Sequence, residues 1–371
     1  MKVPTAGLRW TAALGVLGCA AAYTWLPGTA QADVTNFNAS ATAYPFRMAT
    51  TNPGFPLGVP YEGYGPFAST ILTSLGAADA VAAGPYPGPV AVQGPGLVNA
   101  TTGLQLPNYP FYLQAEAGEG AKHVDNPFSS LDAASNISVV TSDAVLGSGF
   151  SGATARARSE RLEYGGVRSS AESSYDVLEL ANNIEIRGLR SIATATSDSG
   201  KLTRTSLLEF ASISAPGFAY QTPCALPPQS GVPGELPCYQ SKGLVLSFRD
   251  GQFLVSAPDG TQQGAPVSPA AVEAAFKAIG VTMSYQKPVM TKDGIVGAGL
   301  TLGSDLPAIP ENQSGIAGVT HQVFEIGFAA AEAKSVTTTS TFGPATGPAA
   351  ALSALSLFAV GRLVRTRRNG E

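Results

Sequence analysis

The sequence predicts a mainly β fold: an antiparallel, sandwich-like exported domain with one or two short helices, an N-terminal signal and a C-terminal hydrophobic segment. Apolar and polar residues alternate beyond Tyr112, glycine-containing turns separate the alternating runs, and an apolar run lies near each end of the chain. Only 13% of the 371 residues are charged, against about 25% in a typical soluble domain. The 42 glycines and 28 prolines stay below the share typical of low-complexity disorder, so the chain is expected to form a core.

Composition divides the chain into five segments: a signal peptide at 1–32, an irregular region rich in Pro, Gly and aromatic residues at 33–110, a β-rich domain at 111–334, a Ser/Thr-rich stalk with a sorting-like motif at 335–347, and a hydrophobic segment with a basic tail at 348–371. The formal net charge is −4, and the basic residues at both ends leave the middle more acidic than that. A nucleic-acid partner is not expected, because binding phosphates needs a basic face.

The N-terminal segment is typical of a secretory signal peptide. Two basic residues precede an apolar run over residues 10–25, and Ala30 and Ala32 occupy the small-residue positions of a cleavage site before Asp33. The lipobox-like sequence over residues 16–19 leaves a lipoprotein signal open as an alternative. An uncleaved anchor is a further alternative, although the apolar run is shorter than the ~20 residues that span a bilayer.

The C-terminal residues resemble a cell-wall sorting signal. Gly343, Pro344, Ala345, Thr346 and Gly347 occupy the positions of a Leu-Pro-x-Thr-Gly pentapeptide, and an apolar run and an arginine cluster follow. In that family a transpeptidase cuts between Thr and Gly, here after Thr346, and joins the new carboxyl group to an amine of the wall peptide. Gly343 departs from the family, which has Leu there. A plain membrane tail anchor and a glycolipid anchor are alternatives, and the basic terminus argues against the second.

Two helices are predicted. One begins after Pro66, ends at Gly76 and has an apolar face formed by Phe67, Ile71, Leu72 and Leu75. The other begins at the cap Ser268, ends at Gly280 and has an apolar face formed by Val272, Phe276 and Ile279. Pro269 follows the cap, and proline is favoured at the first helical position.

Alternation predicts the strands. The sequence over residues 152–158 places three alanines on one face and Thr and Arg on the other, and residues 184–186 and 208–210 repeat the period of two. The Asp250-Gly251 pair lies between two alternating runs, which is the strongest short-range signal for a hairpin. A second turn is predicted at Ser197–Gly200.

Cys224 and Cys238 are the two cysteines that remain after removal of the signal. An even number of cysteines in an exported chain favours a disulfide. Closing a loop of this length contributes about 3 kcal/mol in the chain-entropy model.

The sequence contains no recognised catalytic motif, and no catalytic residue, metal ligand or cofactor is predicted. His123 is expected in a loop and His321 on the solvent side of a strand. The acids Glu116, Glu119 and Asp125 leave open an acidic cluster that binds Ca²⁺ or acts on a glycan, because glycosidases need only two carboxyl groups.

Ten aromatic residues lie between Tyr44 and Tyr112 and could form a stacking surface for sugars or a partner: Tyr44, Phe46, Phe55, Tyr61, Tyr64, Phe67, Tyr86, Tyr109, Phe111 and Tyr112. The alternative is that these rings pack an irregular region beside prolines. Both tryptophans, Trp10 and Trp25, lie in the signal, which argues against a sugar-binding module.

The sequences over residues 84–88, 106–112 and 191–196 resemble uncharacterised exported proteins of actinobacteria, some of which are grouped as choice-of-anchor proteins. The resemblance implies an exported surface protein and brings no activity with it. The expectation is therefore a non-enzymatic protein on the extracellular face of the envelope, structural or adhesive, held by its C-terminal segment at the membrane and in contact with wall peptide or glycan. The alternative is an envelope hydrolase or glycan-binding protein that uses surface carboxylates.

Overall fold

A computed structural model describes residues 32–54, 61–147, 152–162, 165–180, 183–198, 200–215, 219–223, 239–257, 264–309 and 318–340. Residues 35–337 form one compact unit. The other unit comprises residues 1–34 and 338–371, of which only the outermost residues of the first and last strands are described.

The described residues form these strands and helices in chain order: β1 (Ala32–Thr51), β2 (Tyr61–Tyr64), β3 (Phe67–Thr73), β4 (Ala78–Ala83), α1 (Pro89–Thr102), β5 (Tyr112–Ala115), β6 (Gly120–Asn126), β7 (Ser129–Ser135), β8 (Val139–Leu146), β9 (Thr154–Arg161), β10 (Val167–Leu180), β11 (Ile184–Asp198), β12 (Lys201–Ser214), β13 (Ala219–Pro223), β14 (Tyr239–Gly243), β15 (Val245–Arg249), β16 (Gln252–Ser256), β17 (Ala265–Val267), α2 (Pro269–Ala278), β18 (Thr282–Gln286), β19 (Val289–Met290), β20 (Gly294–Val296), β21 (Gly299–Ile309) and β22 (Gly318–Ser340).

Two ten-stranded antiparallel sheets account for most of these elements. Sheet A follows the order β18-β21-β22-β1-β3-β4-β5, with β2 added beside β1 and the pair β19-β20 added beside β22. Sheet B follows the order β17-β16-β15-β12-β11-β10-β9-β8-β7-β6, and β13 pairs with β14 in a separate two-stranded sheet. The predicted mainly β, antiparallel, sandwich-like fold is confirmed.

The predicted Asp250-Gly251 hairpin is also confirmed, since β15 ends and β16 begins on either side of it. Asp250 has φ 52° and Gly251 has φ 76°. A two-residue turn with positive φ at both positions matches the twist of the flanking strands, and Asp and Gly tolerate it. The turn predicted at Ser197–Gly200 likewise joins β11 to β12, where Asp198 pairs with Lys201.

The first and last strands, β1 and β22, are neighbours in sheet A. The rings of Tyr44 and Phe328 stack with their centroids 4.4 Å apart, and Asn52 Nδ2 donates to Thr320 Oγ1 at 2.8 Å. As the residue number rises along β1 from Tyr44 to Asn52, the number of the partner in β22 falls from Phe328 to Thr320. The strands are therefore antiparallel. The start of β1 therefore lies beside the end of β22.

The inner faces of the two sheets are built mainly from alanine. One buried cluster joins β1, β3, β4, β5, β20 and β22 of sheet A to β7–β11 of sheet B, and eighteen of its twenty-four members are alanine. Eight serines are also buried, all of them in strands of sheet B: Ser129, Ser135, Ser142, Ser159, Ser169, Ser173, Ser191 and Ser197. The space between the sheets is thus filled by the smallest side chains that still have a Cβ.

These small residues let the sheets approach closely. Ser142 Oγ in β8 donates to the Val81 carbonyl oxygen in β4 at 2.5 Å, so a serine side chain reaches the backbone of the opposite sheet. Thr70 Oγ1 and Ser159 Oγ lie 2.9 Å apart across the same gap. Because serine is so short, the backbones here are much closer than the ~10 Å usual for stacked sheets.

A second core with large side chains is formed by other positions of β8, β10, β11 and β22 together with β12, β15, β16, β18 and β21. Phe210, Phe248 and Phe253 from sheet B contact one another, with Phe248 and Phe253 centroids 4.8 Å apart. Helix α2 adds Val272 and Phe276 to this cluster. The sandwich therefore has an alanine core in one part and a bulky aromatic and aliphatic core, covered by a helix, in another.

Helix α2 confirms the second helix prediction. Ser268 Oγ accepts a hydrogen bond from the Ala271 amide, Pro269 is the first residue, and Val272 and Phe276 are buried. Gly280, with φ 79°, follows the helix and takes the left-handed conformation that ends it.

The helix predicted after Pro66 is wrong, because this segment is strand β3. Ala68, Thr70 and Leu72 are buried at alternate positions, while Ile71 is 42% exposed on the outer face. The adjacent residues Ile71 and Leu72 fit one face of a helix, but Ala68 and Thr70 before them continue the alternation of a strand that pairs with both β1 and β4.

The assignment of residues 33–110 as irregular is also wrong, since β1, β3 and β4 lie there and belong to the middle of sheet A. Helix α1 lies in the same region and was not predicted. It contains Pro95, begins after Gly88 and ends at Gly103, which has φ 71°. Its residues show no apolar periodicity, so the sequence pattern gave no helical signal. Ser335 to Ser340, assigned to a strand end or stalk, are the last residues of β22.

Several predictions concern residues outside the described part. Cys224 and Cys238 lie there, although their neighbours Pro223 and Tyr239 are paired as the last residues of the β13–β14 ladder. The signal residue Ala30 and the sorting-like motif 343–347 also lie outside it, while Ala32 and Asp33 begin strand β1. Within the described ranges, no helix is long and apolar enough to cross a membrane.

Enlarging an inward alanine should destabilise the protein more than enlarging its outward neighbour. Ala133 is 1% exposed between the sheets, and Ala134, next to it in β7, faces outward. We expect Ala133→Leu to lower the free energy of unfolding by about 1–3 kcal/mol or more, because the close sheets leave no room for the added carbons. Ala134→Leu should stay within about 0.5 kcal/mol of the parent. Denaturant unfolding measures both, and equal midpoints for the two variants would contradict the close packing.

Candidate functional site

The acids Glu116 and Glu119 flank one turn between β5 and β6. Glu119 Oε2 accepts hydrogen bonds from the Glu116 amide at 2.7 Å and from Lys122 Nζ at 2.8 Å. The bond from Lys122 and the bond from the backbone lower the pKa of Glu119. These contacts engage Glu119 in stabilising the turn, and the two carboxylates do not face each other across a cavity.

His123 lies in strand β6, so its expected position in a loop is wrong. Its Nδ1 is 2.7 Å from Asp132 Oδ1, directly across the strand pair, and its Nε2 is 2.9 Å from Asp125 Oδ2. The hydrogen bonds to Asp125 and Asp132 raise the pKa of His123. The carboxylates therefore act as partners of an exposed imidazole.

His321 lies in β22 with its side chain 53% exposed, as predicted. Its Nδ1 is 2.6 Å from Asp305 Oδ1, and the two residues are paired across β21 and β22. Within the described ranges, no group of three or more His, Cys, Asp or Glu residues is arranged to hold a metal ion.

The outer face of sheet B has charges paired across its strands, which the sequence did not predict. Asp143 Oδ2 accepts from Arg156 Nε at 2.8 Å, and Glu172 Oε1 accepts from Arg190 Nε at 2.9 Å. Asp143, Arg156 and Glu172 line part of a shallow depression of about 450 Å³ on this face. The paired residues are 13 and 18 positions apart in the chain, so only the strand register shows that they meet.

An aromatic cluster on the outer side of sheet A is the most developed candidate site. Tyr44 stacks on Phe328 with the planes 3° apart, and it contacts Tyr64 edge to face at a centroid distance of 5.1 Å. Phe67 contacts Tyr64 at 5.9 Å and stacks on Tyr86 at 4.6 Å. Rings from β1, β2, β3 and β22 are thereby brought together.

This cluster forms one wall of a groove of about 370 Å³. The floor follows β1 and β22, where Ser40, Thr42 and Ala330 are small. Thr42 Oγ1 lies 3.2 Å from Ser69 Oγ of the neighbouring strand. Glu332 is the one carboxylate among the groove-lining residues.

Charged residues behind the rings hold this wall in place. Arg47 donates to Glu62 Oε1 at 2.6 Å and to Glu325 Oε1 at 2.8 Å, and the Tyr44 hydroxyl donates to Glu325 Oε2 at 3.1 Å. Burial and the neighbouring Glu325 carboxylate raise the pKa of Tyr44, so it stays a neutral donor. The Arg47 guanidinium carbon is also 5.7 Å from the Tyr64 ring centroid.

The predicted aromatic set is therefore partly brought together. Tyr44, Tyr64, Phe67, Tyr86 and Tyr112 form a connected series of rings. The remaining described rings lie elsewhere: Phe46 contacts Tyr175, Tyr109 contacts Phe111, and Tyr61 is 59% exposed. Phe55 lies outside the described residues. The predicted aromatic set did not include Phe328. This residue is more than 200 positions away from the others and joins them only through the β1–β22 pairing.

Comparison with known proteins gave no match: no family model, no curated protein and no solved structure is similar to this chain.

The pKa of His123 is expected to lie above the ordinary value of about 6.5. Its folded pKa is raised, so the stabilisation by the charged imidazole is fully present below the unfolded pKa and is lost as the pH rises through the folded pKa. NMR titration of the His123 ring measures the value directly. Asp125→Asn should lower it, because that hydrogen bond is the largest cause of the rise. An unchanged His123 pKa in both Asp125→Asn and Asp132→Asn would show that these contacts do not form.

Proposed function

We propose that this chain is a non-enzymatic exported protein of the cell surface, structural or adhesive in the envelope and tethered through its C-terminal segment. The same proposal includes a relationship to exported actinobacterial proteins. The tether is either a covalent attachment to the cell wall or a membrane anchor.

The placement of the two ends of the domain is the observation that best supports it. Strand β1 begins at Ala32, next to the predicted cleavage site, and β22 ends at Ser340, shortly before the sorting-like motif. Because the two strands are antiparallel neighbours, Thr35 and Thr337, the first and last residues of the compact unit, lie at one end of this strand pair. Gly54 and Gly318 lie near its opposite end.

The position of β22 also suits a tethered protein under load. It has 23 residues and lies inside sheet A, with β1 on one side and β21 and β20 on the other. A pull on its C-terminal end against a force applied at the far end of β1, near Gly54, acts along the strands, so many ladder hydrogen bonds resist it together. This geometry favours a structural or adhesive role over a soluble enzyme.

The hydrolase alternative receives less support from the site. The described acids proposed for it, Glu116 and Glu119, lie on one turn and are engaged with backbone and Lys122. The glycan-binding alternative is different, because the aromatic groove gives it a specific location. Loss of a measured hydrolysis on replacing both acids, with the fold intact, would favour the hydrolase.

Fractionation with intact-mass analysis tests the proposed function. The protein is expressed in its own host, extracted with detergent, and then released by wall digestion. A species that starts at Asp33, ends at Thr346 with a wall fragment and is freed only by digestion is expected for covalent display. Gly347→Pro should abolish that species, because a peptide bond before proline resists cleavage, while Ala345→Ser serves as the matched control at the variable position.

A detergent-soluble species that retains the terminal arginines would indicate a membrane tether and would contradict covalent display. Recovery of the intact chain, signal included, in the soluble cytoplasmic fraction would contradict the proposed function altogether.

A further inference from the structure

We propose that the groove on the outer face of sheet A is a binding site for a pyranose sugar unit of a glycan. The inference goes beyond the proposed tethered role and does not depend on the nature of the tether.

The shape of the groove is the first argument. Its volume of about 370 Å³ is at the lower end of the range of roughly 300–1,000 Å³ found for small-molecule sites. The wall consists of large rings, and the floor next to it is formed by Ser40, Thr42 and Ala330. The step between large and small side chains leaves space for one or two sugar rings beside an aromatic wall.

The distribution of chemical groups is the second argument. A pyranose has an apolar face of C–H groups and a perimeter of hydroxyl groups. Half-buried Phe67 and Phe328 offer aromatic surface for the apolar face. The Ser40 hydroxyl can donate and accept hydrogen bonds with the perimeter, and Thr42 Oγ1, which lies 3.2 Å from Ser69 Oγ, can still accept one.

Glu332 completes this polar side. It is exposed at the groove and forms no ion pair with the described residues, whereas the Arg47, Glu62 and Glu325 side chains behind the wall are all paired. Its two carboxylate oxygens can accept from two neighbouring sugar hydroxyls, and such charge-assisted bonds are the stronger ones. Gly294 lies opposite on β20, where a Cβ would collide with the Ala331 carbonyl oxygen and lie 2.7 Å from Glu332 Cα, so only glycine lets β20 approach this part of β22.

The wall is organised before any ligand arrives. Tyr44 is stacked on Phe328 and fixed by its hydrogen bond to Glu325, which Arg47 also holds. Phe67 is fixed by stacking on Tyr86. Rings that are already immobile lose little conformational entropy on binding, and this favours affinity for a small ligand.

A catalytic role for the groove fits less well than recognition. Hydrolysis of the bound sugar needs two carboxyl groups about 5–9.5 Å apart, and Glu332 is the one carboxylate lining the groove. The arrangement therefore supports recognition of a sugar without its cleavage.

Saturation-transfer NMR on the full-length chain in detergent tests the inference. The probes are trimers of β-1,4-linked N-acetylglucosamine, of β-1,4-linked glucose and of α-1,4-linked glucose, and a β-1,4-linked galactose dimer, each at millimolar concentration. We expect saturation of the ring C–H protons of at least one probe. Phe67→Leu should weaken that affinity at least tenfold, because it removes the aromatic face while keeping an apolar side chain.

Further variants separate binding in the groove from effects on folding. Ala330→Leu fills the floor and should abolish saturation, and Glu332→Gln should weaken binding about tenfold. Phe128→Leu changes an aromatic residue that is 50% exposed outside the groove and should leave binding unchanged. Thermal unfolding is compared for every variant. Absence of saturation for all four probes, or binding that survives Ala330→Leu in a folded protein, overturns the inference. Fractionation does not involve the groove, so this failure and a failure of the proposed function are distinguishable.

Discussion

The close approach of the two sheets is the constraint on which the rest of this structure depends. Where a serine hydroxyl of one sheet reaches a backbone carbonyl of the other, most of the side chains between the sheets are alanine or serine. Alanine buries little apolar area, so each residue of this core contributes less hydrophobic stabilisation than leucine would. Long strands compensate by repeating the contact many times, and the second core around Phe276 adds the bulky side chains that the narrow part excludes.

The same constraint explains where the large and charged side chains lie. The alanine core contains no buried ring, and Tyr44, Phe67 and Phe328, from β1, β3 and β22, project from the outer face of sheet A, where they form the wall of the groove. On the outer face of sheet B, several charged residues are paired across strands, as with Asp143 and Arg156. Each face thus has its own chemistry: small residues inside, an aromatic groove on one outer surface and ion pairs on the other.

Local patterns in the sequence predicted the parts of the fold that are determined locally. The alternation of alanine with Thr and Arg in β9, the Asp250-Gly251 turn and the capped helix α2 all follow from residues close together in the chain. The helix prediction for the segment after Pro66 was wrong because its apolar spacing suits both a helix and a strand. Pairing with β1 and β4 decides between them. Local sequence patterns could not predict the groove. The high density of aromatic residues near Tyr44 is visible in the sequence, but Phe328 and Glu332 come close to them only through long-range strand pairing.

The central claim is that β22, paired with β1, transmits load from a C-terminal tether into the sheet. Single-molecule force measurement on the full chain tests it, with one handle at the C-terminus and the other at either Thr35 or Gly54. A handle at Thr35 pulls the neighbouring ends of β1 and β22 apart and opens the ladder one bond at a time. A handle at Gly54 pulls the strands past each other, so we expect a several-fold higher unfolding force. Equal forces in the two geometries, or a lower force from Gly54, would contradict the account.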